Sequence, residues 1–162
     1  MFDSLLTAIL CTAAIGAGLM AGVYFAFSAF IMRALDSLDA GQATDAMIAI
    51  NSVILRSWFM VLFTGSTLLY AMLSIMALVE VELPGRWLLF FTGLIYVSGM
   101  FLCTVVFNVP LNERLTGNDN DGRLPSGFWS HYVDRWTRWN HLRCICSLAA
   151  LGLSMHYLMT YS

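Results

Sequence analysis

The stretch SWFMVLFTGSTLLYAMLSIMALV, Ser57 to Val79, runs for 23 residues without a charge. About 20 helical residues cross the apolar core of a bilayer. A helix packed on the surface of a soluble protein carries polar and charged side chains along its outer face, and this stretch has no charged face. It reads as a membrane span, and the rest of the chain repeats the pattern. Ser4 to Met32, Trp87 to Asn112 and Cys144 to Ser162 are equally free of charge, over 29, 26 and 19 residues. Of the 162 residues 59% are hydrophobic and 11% charged, against about 25% charged in a soluble domain. The predicted fold is all-α. A single integral membrane domain, residues 1–162, forms an antiparallel bundle of four transmembrane helices at about 5–32, 55–79, 87–110 and 139–160. The last helix is expected to extend into the cytoplasm by about three turns before Arg143.

Orientation follows from the arginines, which make up all eight basic residues. Arg33, Arg56, Arg114, Arg123, Arg135, Arg138 and Arg143 follow spans one and three; Arg86 alone lies on the other side, with Asp3, Glu80 and Glu82. The positive-inside rule therefore puts both termini outside the cytoplasm. The opening MFDS has no basic segment and the first apolar run is too long for a signal peptide, so the first span is read as part of the protein. A net charge of −2 gives no attraction for nucleic acid.

Along span one, Ala14, Gly18, Gly22 and Ala26 recur every fourth residue. Such a stripe lets backbones approach closely in lipid, either within the bundle or as a homodimer face. Tyr24, Phe25, Phe27 and Phe30 follow; they can form core, an interfacial belt or the wall of an apolar pocket. Thr44 or Asp45 can cap a helix running straight into span two. That helix would carry Asn51 on the same face as Met47, Leu55 and Trp58, as interhelical glue or as a pocket donor. Near the end of span three, Asn108 and Asn112 stand one turn apart with Pro110 between them. Proline removes a backbone hydrogen bond and crowds the preceding turn, so the helix is expected to kink or end there. The segment TGNDNDGRLPSG, Thr116 to Gly127, reads as a solvated loop, with Ser126 as N-cap of the last helix.

The second polar concentration is WTRWNHLR, Trp136 to Arg143. At 100° per residue Trp136, Trp139, Asn140 and Arg143 share one helix face. Trp129 and Tyr132 extend it upstream, Ser147 and Ser154 downstream, and Asp134, Arg138 and His141 lie opposite. No metal site is expected. Cys144 and Cys146 diverge on a helix, His131 and His141 are about 15 Å apart along one, and the Asn-Asp run lacks the ligand spacing of a calcium loop. All four cysteines read as small buried hydrophobes.

FNVPLNERL (Phe107 to Leu115) and W-x-x-W-N-H-L-R (Trp136 to Arg143), with support from the aromatic end of span one and AMIAIN (Ala46 to Asn51), identify a family likeness. The chain resembles the small four-span membrane proteins grouped with the fungal anthrone oxygenases, most of whose bacterial members have no assigned role. The resemblance covers nearly the whole chain. It implies a bacterial inner-membrane protein that oxygenates an acidic phenolic tricycle to a quinone without metal, flavin or other cofactor. Such chemistry needs a base, donors for an anion and a dry pocket open to dioxygen. On this chain it implies His141 as base, Arg143 and Asn140 holding the enolate, and Asn108 and Asn112 hydrogen-bonding the peroxide. Trp136, Trp139 and Phe107 would stack on the substrate, with Asn51 and Tyr24 completing the binding wall.

Two other readings stand beside it. One is a haem- or quinone-binding electron-transfer subunit, with His141 or His156 as axial ligand. The other is a non-enzymatic scaffold or lipid-binding protein. The expected partners are a hydrophobic small molecule, dioxygen and membrane lipid.

Overall fold

A computed structural model describes residues 2–120 and 125–161. Five helices account for nearly all of them. α1 (residues 2–36) is α-helical over Phe2–Ala26, π-helical over Phe27–Ile31 and α-helical again over Met32–Asp36. α2 is Ala40–Ile54 and α3 is Trp58–Val79. α4 (residues 86–120) is α-helical over Arg86–Tyr96 and Val109–Asn120, with π-helical stretches Val97–Leu102 and Thr104–Asn108 between. α5 is Phe128–Tyr161. α1, α3, α4 and α5 each contain an apolar stretch long enough to cross a membrane, and their outward faces carry exposed Ile15, Leu68, Leu94 and Leu148. Lipid suits such faces and water does not. The protein is an all-α, multi-pass integral membrane protein.

The bundle closes in the order α1, α5, α4, α3 and back to α1. Rising numbers on one helix meet falling numbers on its neighbour, so adjacent spans run antiparallel. On α1 and α5, Cys144 Sγ donates to Ala21 O at 3.6 Å and Asn140 Nδ2 to Tyr24 O at 2.7 Å. On α3 and α4, Ser66 meets Tyr96 at 2.7 Å and Ser74 donates to Phe90 O at 3.1 Å. On α4 and α5, Gly99 abuts Cys146 and Asn108 abuts Trp136. The packing face of α1 is the stripe beside the predicted one. Ala13 and Ala17 are fully buried, and a Cβ on Gly16 would come within 2.9 Å of Ser66 Cβ. Of the predicted stripe, Ala14 is buried, Gly18 faces Leu151, and Gly22 has open space beside it.

Two departures from the sequence reading shape the half of the bundle around α2 and Pro110. The helix before span two begins at Ala40 and does not run on into it: α2 ends at Ile54 and α3 starts at Trp58. Ser57 makes the break. Its hydroxyl donates to Ile54 O at 2.8 Å, and its oxygen accepts from Phe59 N at 3.2 Å. One side chain thus satisfies the end of one helix and the start of the next. Thr44 is fully buried and caps nothing; Met47 and Leu55 line one cavity with Asn51, whereas Trp58 is exposed and does not. Secondly, α4 passes through Pro110 and continues to Asn120, into the predicted loop. The turn before the proline is already π-helical, a wider winding that takes up a residue lacking its N–H. Residues 121–124, the middle of that loop, lie outside the described residues together with Arg123. α5 starts after Gly127, whose φ is +79°, so Ser126 is not its immediate neighbour.

The core has two parts. Leu10, Met20, Tyr70, Leu73, Tyr96 and Met100 belong to the membrane-level cluster. Phe27, Met32, Met47, Leu115, Tyr132 and Trp136 belong to a second cluster, built where α2 and the first turns of α5 cover the ends of α1 and α4.

Candidate functional site

A cavity of about 920 Å³ opens where the two core clusters meet. All five helices line it: Tyr24 and Phe27 from α1, Met47 and Asn51 from α2, Phe59 and Phe63 from α3. α4 adds Thr104, Asn108, Asn112 and Glu113, and α5 adds Trp136 and Arg143. Most of the wall is apolar. The break at Ser57 falls between two parts of this wall, Ile54 and Leu55 before it and Phe59 and Met60 after it.

The polar groups are oriented by partners that can act in only one sense. An indole N–H can only donate, so Trp136 Nε1, at 3.0 Å, fixes Oδ1 of Asn112 toward itself. Tyr132 donates to the same oxygen at 2.8 Å. Asn112 Nδ2 must then point to Asn51, whose Oδ1 accepts at 3.2 Å. Asn51 Nδ2 is left over, buried beside the Tyr132 hydroxyl without a hydrogen bond of good geometry. Asn108 Nδ2 donates to the Trp136 carbonyl at 3.3 Å, which leaves Asn108 Oδ1 unpaired.

Arg143 forms the floor. Its guanidinium lies 4.5 Å from the ring centre of Tyr24 and 5.0 Å from that of Trp136. Nη2 donates to Asn140 Oδ1 at 2.7 Å and Nη1 to Thr104 Oγ1 at 3.4 Å, while Nε has no acceptor. Asn140, itself fully buried, uses its Nδ2 on Tyr24 O at 2.7 Å and Ser28 Oγ at 2.6 Å. The Tyr24 hydroxyl faces Arg143 and Thr104 without a hydrogen bond of good geometry. Arg143 is 5% exposed and has no carboxylate partner among the described residues, whose one ion pair is the exposed Arg138–Asp134. The aromatic faces contribute about 2 kcal/mol each when desolvated. These rings and the Asn140 and Thr104 oxygens are all neutral, so they stabilise the cation without cancelling its charge, and the floor retains positive potential.

Seven buried polar side-chain atoms lack a partner among the described residues, and four of them belong to this cavity: Tyr24 Oη, Asn51 Nδ2, Asn108 Oδ1 and Arg143 Nε. Each unmade hydrogen bond costs about 1–3 kcal/mol. Their concentration here distinguishes the cavity from a packing defect.

The structure thus brings together Tyr24, Asn51, Asn108, Asn112, Trp136 and Arg143, with Asn140 directly behind Arg143. It does not bring in three of the predicted residues. Trp139 turns to the flank of α5, where its ring stacks on Phe107 at 3.7 Å and 6° outside the cavity. His141 is exposed on the opposite face and does not line the cavity, so it cannot act there as a base. His131 and His156 are exposed as well, and no histidine is available to ligate a haem in the cavity. Among the described residues no three His, Cys, Asp or Glu side chains gather where they could hold a metal ion. Sequence reasoning missed Ser28 and Thr104. Both carry a readable signal, Ser28 one turn after Tyr24 and Thr104 one turn before Asn108.

Residues 53–153, well over half of the chain, match the anthrone oxygenase family. The chain belongs to that family. No curated protein and no solved structure matches it. Within this anthrone oxygenase family member, the matched segment runs from the end of α2 to near the end of α5. It holds Thr104, Asn108, Asn112, Trp136, Asn140 and Arg143; Tyr24, Ser28 and Asn51 come from the part before it.

Proposed function

We propose that the protein is a membrane-embedded oxygenase that uses dioxygen and no cofactor to convert a small, planar, acidic aromatic molecule to a quinone. The observation that carries this reading is the floor of the cavity: a buried arginine with no ion-pair partner among the described residues, beside unpaired donors and one unpaired acceptor, under apolar walls. A neutral C–H acid can enter from lipid, and its enolate gains from Arg143 what the neutral form does not. Interactions that strengthen as charge develops are those that accelerate a reaction. The carbanion carbon then forms a C–O bond to dioxygen, giving a peroxide. Loss of the second proton from that carbon and cleavage of the O–O bond leave a carbonyl and release water.

Purified protein in bilayers, supplied with anthrone, is expected to consume one dioxygen per molecule and to place one labelled oxygen atom in the product. Consumption no faster than in protein-free bilayers would overturn the reading. Tight binding of anthrone without consumption would transfer the cavity to the non-enzymatic reading.

The arginine excess supports an orientation with the cavity end of the bundle at the cytoplasmic face. A cysteine introduced at Glu82, in the exposed turn between α3 and α4, is expected to react with an impermeant reagent on intact cells. Reaction only after permeabilisation would reverse the orientation.

A further inference from the structure

The geometry points to Glu113 as the base that takes the proton from the bound molecule, an assignment that rests on the oxygenase reading of the cavity. Three lining residues are ionisable: Tyr24, Glu113 and Arg143. A phenol and a guanidinium ordinarily keep their protons at neutral pH, so the carboxylate is the one lining group able to accept one. Glu113 is on the correct face of its helix. Val105, Asn108, Asn112, Glu113 and Thr116 form a stripe at helical spacing, and all line the cavity. It also stands at the open end of that stripe. Asn108 is 1% exposed whereas Glu113, more than a turn further on, is exposed, and Gly117 beyond it has nothing within 4 Å of where a Cβ would be.

An unpaired cation at the floor and a carboxylate without an ion pair at the mouth, among the described residues, thus face one space. Salt-bridging the two would have cancelled both. Held apart, they can act on opposite sides of one bound molecule. The C–H bond breaks, its proton goes to the Glu113 carboxylate, and the electron pair delocalises onto the carbonyl oxygen beside Arg143. Nothing is oxidised in this step. Glu113, exposed at the mouth, passes the proton to water before dioxygen reacts.

Proton removal can be observed without oxygenation, by following the exchange of anthrone's acidic C–H for deuterium in heavy water under nitrogen. Positioned bases contribute a factor of about 10²–10⁴. The unaltered protein in bilayers is expected to accelerate exchange, and Glu113→Gln to lose at least about a hundredfold of that acceleration while binding anthrone as before. Glu113→Asp, which keeps the carboxylate on a shorter stem, is expected to retain part of it. Glu113→Gln exchanging at the unaltered rate would overturn the assignment and leave the oxygenase reading standing. Unaltered protein that accelerates neither exchange nor oxygen consumption would overturn both.

Discussion

Arg143→Lys is expected to give a folded bundle whose oxygen consumption with anthrone has fallen by a factor of about 10²–10³, the usual effect of removing one well-placed donor to a developing anion. Lysine keeps the charge but not the geometry. The guanidinium lies near two rings and reaches Asn140 and Thr104 from different nitrogens, with Nε left free. An ammonium is a compact donor that cannot make these contacts together. Arg143→Met separates function from stability further. Removing an uncompensated buried charge relieves its desolvation cost but leaves Asn140 Oδ1 without its donor, at about 1–3 kcal/mol, so this variant is expected to remain folded and be inactive. Oxygen uptake and thermal unfolding in detergent measure both. A fully active Arg143→Lys protein, or a strongly destabilised and still active Arg143→Met protein, would return the residue to a structural role.

Asn140→Leu is expected to have the largest effect on stability. The asparagine is fully buried, and its amide joins Tyr24 O and Ser28 Oγ on α1 to Arg143 on α5. Leucine has a similar volume but can pair with none of them. A buried group left unpaired costs about 1–3 kcal/mol, and more when it is charged, so the loss should reach about 3–5 kcal/mol. The unfolding transition in detergent should move well below that of the unaltered protein, and anthrone binding should weaken because Arg143 is released from its support. An unchanged transition would show that this cluster does not hold α1 to α5.

The residues legible in the sequence were those whose surroundings are set by their own helix. Charge-free runs gave the helices that can span a bilayer, because a bilayer excludes charge whatever else is nearby. The 3.6-residue period placed Trp129, Tyr132, Trp136, Asn140, Arg143, Ser147 and Ser154 on one face of α5, and all seven are buried. Their polarity on an inward face marked the level of the cavity. The period also placed Trp139 there. It failed at that position because Trp139 sits at the edge of the face, where an outward turn allows it to stack on Phe107 from the neighbouring helix.

Only the tertiary structure decided the rest, and for one reason: the deciding partner lies on another helix. Nothing in α5 alone says that Asn140 spends its donors on α1, or that Asn112 is oriented by Trp136 so that Asn51 is left with a free donor. Helical spacing cannot show that Ser57 ends one helix and starts another, or that a π-helical turn carries α4 past Pro110 to Glu113. His141 stood beside Asn140 in the chain and had the natural chemistry of a base. A rotation of 100° put it outside, and left a carboxylate on a different helix as the proton acceptor within the cavity.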